Sequence, residues 1–187
     1  MYRESTTKRV GVLVSIALFL VTFIVTPMST LDPINVPKLW TISGISFGVL
    51  GLLLTDFKVL ANPKNRLIAL TGVIFIFSLL MTVLTSAAPF TQQIFGSNGR
   101  NTGLLAYISL AILFVGTALA SNMQTIRIFL LSVRTIICLN LIYCFIQALG
   151  NDPIKWSNPY APVIGTLGNP DFASAFLGIG ASFILTY

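Results

Sequence analysis

The residues best suited to chemistry in this chain gather around one arginine. Arg100 is the only charged residue in FGSNGRNTGLLAY (95–107), with Gly96, Gly99 and Gly103 around it and Ser97, Asn98, Asn101 and Thr102 between them. Glycine removes the side-chain obstacle, so such a segment can bring backbone N–H groups close to an anion. A guanidinium beside it offers a fork of donors that fits phosphate. The expected chemistry is a phosphate or diphosphate clamp. The alternative is a re-entrant or interfacial turn whose arginine anchors lipid headgroups. A second cluster lies in GTLGNPDF (165–172). Asp171 could act there as a base toward a sugar hydroxyl, or favour the start of a helix opened by Pro170. Asn169 could cap that helix or bind a hydroxyl. Trp156 and Tyr160, on either side of a short loop after Lys155, could stack on a sugar ring or form an interfacial aromatic belt.

The elements that must hold these residues are set by composition. The chain has 187 residues, is 55% hydrophobic and 9% charged, and has a mean hydropathy of +0.90. That is too little charge to cover a soluble domain, so the expected class is an all-α, polytopic transmembrane bundle. The net charge of +6 would raise nucleic acid as a partner in a soluble protein. Here the basic residues fall in short loops, where membrane topology accounts for them, and no nucleic acid is expected. There is no histidine, P-loop, metal-ligand cluster or GxGxxG unit, so neither a metal nor a cofactor is expected. Cys138 and Cys144 are expected on different helix faces in ordinary apolar packing.

The hydropathy pattern predicts one transmembrane domain over 1–187, with about six spans near 10–26, 39–54, 67–84, 103–120, 126–149 and 172–187. Gly44, Gly48 and Gly51 in the second span form a small-residue face suited to close helix packing, and Trp40 marks its interface end. Asn140 and Gln147, one heptad apart, are expected to hydrogen-bond between helices. Arg134 is expected to snorkel to the interface. Basic residues alternate: Arg3, Lys8, Arg9, Lys58, Lys64, Arg66 and Arg127 on one side, against Lys38, Arg100 and Lys155 on the other. The N-terminus is therefore expected in the cytoplasm, with segments 95–107 and 150–170 sharing the outer side and contributing to one site. The last span is still running at Tyr187 with no flanking charge. The chain therefore reads as the N-terminal part of a longer protein.

The two outward segments resemble the O-antigen ligase and polymerase superfamily of bacterial envelope proteins. Members look like PF…FG…R..GLL…Y at the start of a span, followed two spans later by G-T-x-G-N-P-[ND]-x-x-A. Pro89, Phe90, Phe95, Gly96, Arg100, Gly103, Leu104, Leu105 and Tyr107 match the first pattern; Gly165, Thr166, Gly168, Asn169, Pro170 and Ala173 match the second. The resemblance covers the second half of the chain in motifs and the whole in topology. It implies a fragment of a larger GT-C-like membrane glycosyltransferase in the bacterial cytoplasmic (inner) membrane. That enzyme would move a glycan, without a metal, from an undecaprenyl-diphosphate carrier to a lipid or glycan acceptor. It would do so among membrane lipids on the outer side. Arg100 would neutralise the departing diphosphate, with Gly96, Gly99, Gly103, Asn169, Trp156 and Tyr160 around the substrate. Asp171 stands where members often carry Asn. The family's later loop, with arginine and histidine, would lie past Tyr187, and the catalytic base that the resemblance implies would lie there with it. The competing class is a non-enzymatic polytopic protein, such as a transporter, flippase or assembly subunit.

Overall fold

In the computed structural model, residues 2–29, 32–120, 122–156 and 163–186 are described. Among them all regular structure is helical, with no strand. In chain order the helices are α1 (Tyr2–Phe23), α2 (Asn35–Thr55), α3 (Phe57–Ala61), α4 (Arg66–Thr85), α5 (Phe90–Phe95), α6 (Leu104–Leu119), α7 (Met123–Ala148) and α8 (Pro170–Thr186). A 3-10 turn, Gly165–Leu167, precedes α8. Local chemistry explains the boundaries. Pro37 falls in the first turn of α2, where its missing N–H costs nothing. Asn122 caps α7 by accepting a hydrogen bond from the Thr125 N–H at 2.9 Å.

Four of these helices hold stretches long and apolar enough to cross a bilayer: Thr6–Phe23, Asn35–Thr55, Arg66–Thr85 and Met123–Ala148. The apolar helices in the fourth and sixth expected spans are shorter. The 16 residues of α6 rise only about 24 Å, against a hydrocarbon core of about 30 Å. The preceding stretch is spent instead on α5 and on the glycine-rich loop between α5 and α6.

Pairs of contacting residues define how the helices run. Ser43 of α2 and Ser109 of α6 place their hydroxyl oxygens 3.2 Å apart, and Gly116 of α6 faces Val49 of α2, so these two helices are parallel. Gly11 of α1 backs onto Thr125 of α7, another parallel pair. Gly72 of α4 meets Val115 of α6, and Gly180 of α8 meets Ile137 of α7, both antiparallel. One end of the bundle therefore gathers the starts of α1, α4 and α7. The other gathers the starts of α2, α6 and α8.

The apolar core lies toward the first of these ends. Val10 and Val14 of α1, Val49 and Leu53 of α2, Val59 of α3, and Ile112 and Leu119 of α6 pack there as one cluster. No residue of α4 is buried, although the helix is apolar all round. A helix apolar on every face requires an apolar surrounding, which a bilayer provides.

One expectation is corrected. Gly44, Gly48 and Gly51 do not form a packing face within the chain: they are exposed, and a Cβ on any of them would meet no atom within 4 Å. Close approach occurs at Gly11, Gly72, Gly116 and Gly180 instead. Regular spacing signals a small-residue stripe, but contact depends on which side the neighbours occupy.

Candidate functional site

The site is assembled at the end where α2, α6 and α8 begin. α2 starts behind Asp32, whose Oδ1 accepts the backbone N–H groups of Ile34 (2.9 Å) and Asn35 (2.8 Å). Its Oδ2 accepts the Asn35 side-chain amide at 2.9 Å. Burial opposes ionisation of this carboxyl. The donors from Asn35 and Ile34, together with the nearby Lys38 charge, outweigh that and hold it below the usual carboxylate range. A negative group at a helix N-terminus is also favourable.

Asn35 is shared between two elements. The same Nδ2 donates to the Gly99 carbonyl at 2.8 Å, which fastens the arginine loop to the start of α2. The rings of Trp40 and Phe95 brace that junction, with centroids 6.0 Å apart and planes tilted by 49°. The loop itself closes at a neck. Gly96, at φ +87°, and Gly103 lie so close that a Cβ on either would collide with the other's backbone neighbourhood. Between them the Arg100 and Asn101 N–H groups donate to the Ser97 carbonyl, and Asn101 sits at φ +52°. Gly96 and Gly103 thus shape the turn, whereas Gly99 lies at its open crest. Arg100 is exposed, and its guanidinium has no hydrogen-bond or ion-pair partner among the described residues.

The second glycine-rich segment reaches the other side of α2. Lys38 donates through Nζ to the Thr166 carbonyl at 2.7 Å and to the Thr22 carbonyl at 3.4 Å. Gly168 lies against Ile34. From behind, α7 holds the same turn. Asn140, fully buried, donates through Nδ2 to Thr166 Oγ1 at 2.7 Å. Gln147 Oε1 accepts the backbone N–H groups of Ile164 (3.1 Å) and Gly165 (2.8 Å). Asn140 and Gln147 were expected to bridge helices. They bind the return loop and 3-10 turn instead, because that irregular backbone has buried groups no helix satisfies.

Gln147 also ties the start of this loop. Its Nε2 donates to Asp152 Oδ2 at 2.7 Å, Tyr143 donates to Asp152 Oδ1 at 3.0 Å, and the Trp156 indole N–H donates to the Tyr143 hydroxyl at 3.0 Å. Burial opposes ionisation of Asp152 too. The Ile154 N–H and the side-chain donors prevail and hold its carboxyl low.

The remaining candidates divide by role. Asn169 Oδ1 accepts the Asp171 N–H at 2.8 Å, so it caps α8. The Asp171 side chain is exposed at the first turn of that helix. Trp156 is half-buried, with its N–H engaged by Tyr143. Tyr160 lies outside the described residues. Cys138 is exposed and Cys144 buried, on different faces as expected. Arg134 is half-buried and has no hydrogen-bond or ion-pair partner among the described residues. Among the described residues no three of His, Cys, Asp and Glu are grouped so as to hold a metal ion.

Sequence reasoning missed Lys38 and Asn35. Lys38 entered only as one charge in the topology balance. A cation in the first turn of a helix opposes the macrodipole, and that mismatch signals a partner elsewhere. Asn35 carries no such mark, since Asn near a helix start reads as capping.

No protein-family model matches this chain, and neither does a curated protein or a solved structure.

Proposed function

We propose that this chain is part of an O-antigen ligase-like membrane glycosyltransferase. It would lie in the bacterial cytoplasmic membrane with its N-terminus inside and six spans. On this reading the α2–α6–α8 end faces outward, and the glycan comes from an undecaprenyl-diphosphate carrier. The anomeric carbon–oxygen bond to the diphosphate breaks, and the diphosphate leaves with the electron pair. A new bond forms from the same carbon to an acceptor hydroxyl, whose proton passes to a base. Arg100 neutralises the charge that develops on the leaving diphosphate, a role that needs a fork of donors and no metal. Asp171, exposed at the first turn of α8, is one carboxylate at this end that could take the proton, beside Asp32 and Asp152.

The observation that carries the reading is the convergence of the two glycine-rich segments. Both are anchored to the first turns of α2, one through Asn35 and Gly99, the other through Lys38 and Thr166. They are separated by about sixty residues of chain, and α2 holds them at one end of the bundle. An unpartnered arginine on a tethered crest is suited to an anionic ligand.

The test is glycan transfer in cells carrying the intact protein. Arg100→Ala is expected to reduce transfer by about a hundredfold or more while membrane insertion and abundance stay normal. Arg100→Lys, with charge but no planar fork, is expected to restore only part of it. Normal transfer by the alanine variant would rule out the diphosphate role.

A further inference from the structure

The mouth between the α2 start and the arginine loop is a cleft of about 570 Å³. Its size is that of a small-molecule site, which is commonly about 300–1,000 Å³. Its lining mixes apolar and polar groups. Trp40 is 58% exposed and Phe95 41% exposed, and their tilted rings make an apolar wall. Asp32, Asn98 and Asn101 add polar groups to the lining, beside the apolar Val36 and Leu39.

The polar groups have capacity to spare. An ionised carboxylate offers about four acceptor positions, and Asp32 uses three of them on Ile34 and Asn35, leaving one on Oδ2. The side-chain amides of Asn98 and Asn101 are engaged by no partner among the described residues, so each still presents donors and an acceptor. Aromatic rings together with mixed donors and acceptors in one cleft match a sugar ring. The C–H face of a pyranose carries partial positive charge and lies against the negative face of an aromatic ring. Its hydroxyls each need both a donor and an acceptor, which amides and a carboxylate supply together.

We infer that the cleft formed by Trp40, Phe95, Asp32, Asn98 and Asn101 is a binding site for a sugar ring. The inference deepens the proposed transfer reaction, because Arg100 stands between two residues of the lining, Gly99 and Asn101. The sugar nearest the diphosphate would occupy the cleft while the guanidinium holds the phosphates. Trp40 is then a binding residue, where spacing alone marks it as an interface anchor.

The experiment is ligand-observed saturation-transfer NMR on the protein in phosphatidylcholine nanodiscs. The probes are the methyl glycosides of glucose, galactose and N-acetylglucosamine. At least one is expected to show transfer to its ring protons. Trp40→Ala should abolish that signal. Asn98→Ala, an exposed position that leaves the fold alone, should weaken binding roughly fivefold, the value of one hydrogen bond. Arg100→Ala should leave the glycoside signal in place, since these probes carry no phosphate. That separates the cleft from the diphosphate clamp, which is read by loss of polyprenyl diphosphate binding in the same variant. Absence of signal from all three glycosides, or a signal that survives both Trp40→Ala and Asn98→Ala, would overturn the sugar site.

Discussion

Gln147 uses both ends of its amide. The oxygen takes the backbone N–H groups of Ile164 and Gly165 at the entry to the 3-10 turn, and the nitrogen reaches Asp152 at the start of the loop. Gln147→Leu keeps the size of the side chain but orphans two buried donors. We expect a loss of about 2 kcal/mol or more, read as a lowered unfolding temperature in detergent. A variant as stable as the parent would show that the loop is held elsewhere. Asp32 and Asp152 add a pH dependence. Both have folded pKa values below the ordinary 3.8, so the folded state binds fewer protons than the unfolded chain near that pH. Their contribution is full above about pH 3.8 and is lost as pH falls through the lowered folded values. Stability scanned downward from pH 6 should therefore drop below about pH 4. Asp152→Asn should flatten part of that drop, and an unchanged profile would contradict the assigned hydrogen bonds. At this scale the sequence was partly legible. Arg100 and Asn169 stood out by type and setting, but Asn35 joins residues 64 positions apart, and nothing local marks such a partner.

Among the elements, α1, α2, α4 and α7 could be read from long apolar runs because composition alone separates such helices from loops. The break that makes α5 and its loop was legible in Pro89 and the glycines. The bounds of α6 were legible too: the expected span 103–120 differs from Leu104–Leu119 by one residue at each end, with Gly103 at the helix start. The direction in which a glycine stripe faces was hidden, because it depends on tertiary neighbours. This gives a paired prediction. Gly48→Ala places a methyl in open space and should be neutral or stabilising by up to about 1 kcal/mol. Gly116→Leu drives a side chain into Val49 and Val10 at the α2–α6–α1 contact and should cost about 1–3 kcal/mol. Thermal unfolding of the two variants should move in different directions. Equal losses would mean that the α2 stripe is also a packed face.

Across the whole molecule, polar and apolar order are segregated along the bundle. The apolar cluster of α1, α2, α3 and α6 stiffens one end. The other end is built almost entirely from hydrogen bonds between irregular backbone and side chains of α2 and α7. Lys8, Arg9, Lys58, Lys64, Arg66 and Arg127 are exposed toward the apolar-cluster end, whereas Lys38, Arg100 and Lys155 lie toward the hydrogen-bonded one. The proposed outward orientation of the site rests on this charge bias, read through the positive-inside rule. A cysteine at Ser97 should react with an impermeant maleimide on intact cells. Reaction only after permeabilisation would reverse the orientation. The most direct test of the central claim is the binding of a short polyprenyl diphosphate to the protein in nanodiscs, with and without Arg100. The account predicts that Arg100→Ala weakens diphosphate binding by about tenfold or more, the value of a charge-assisted hydrogen bond. Equal affinity in the two proteins would contradict it.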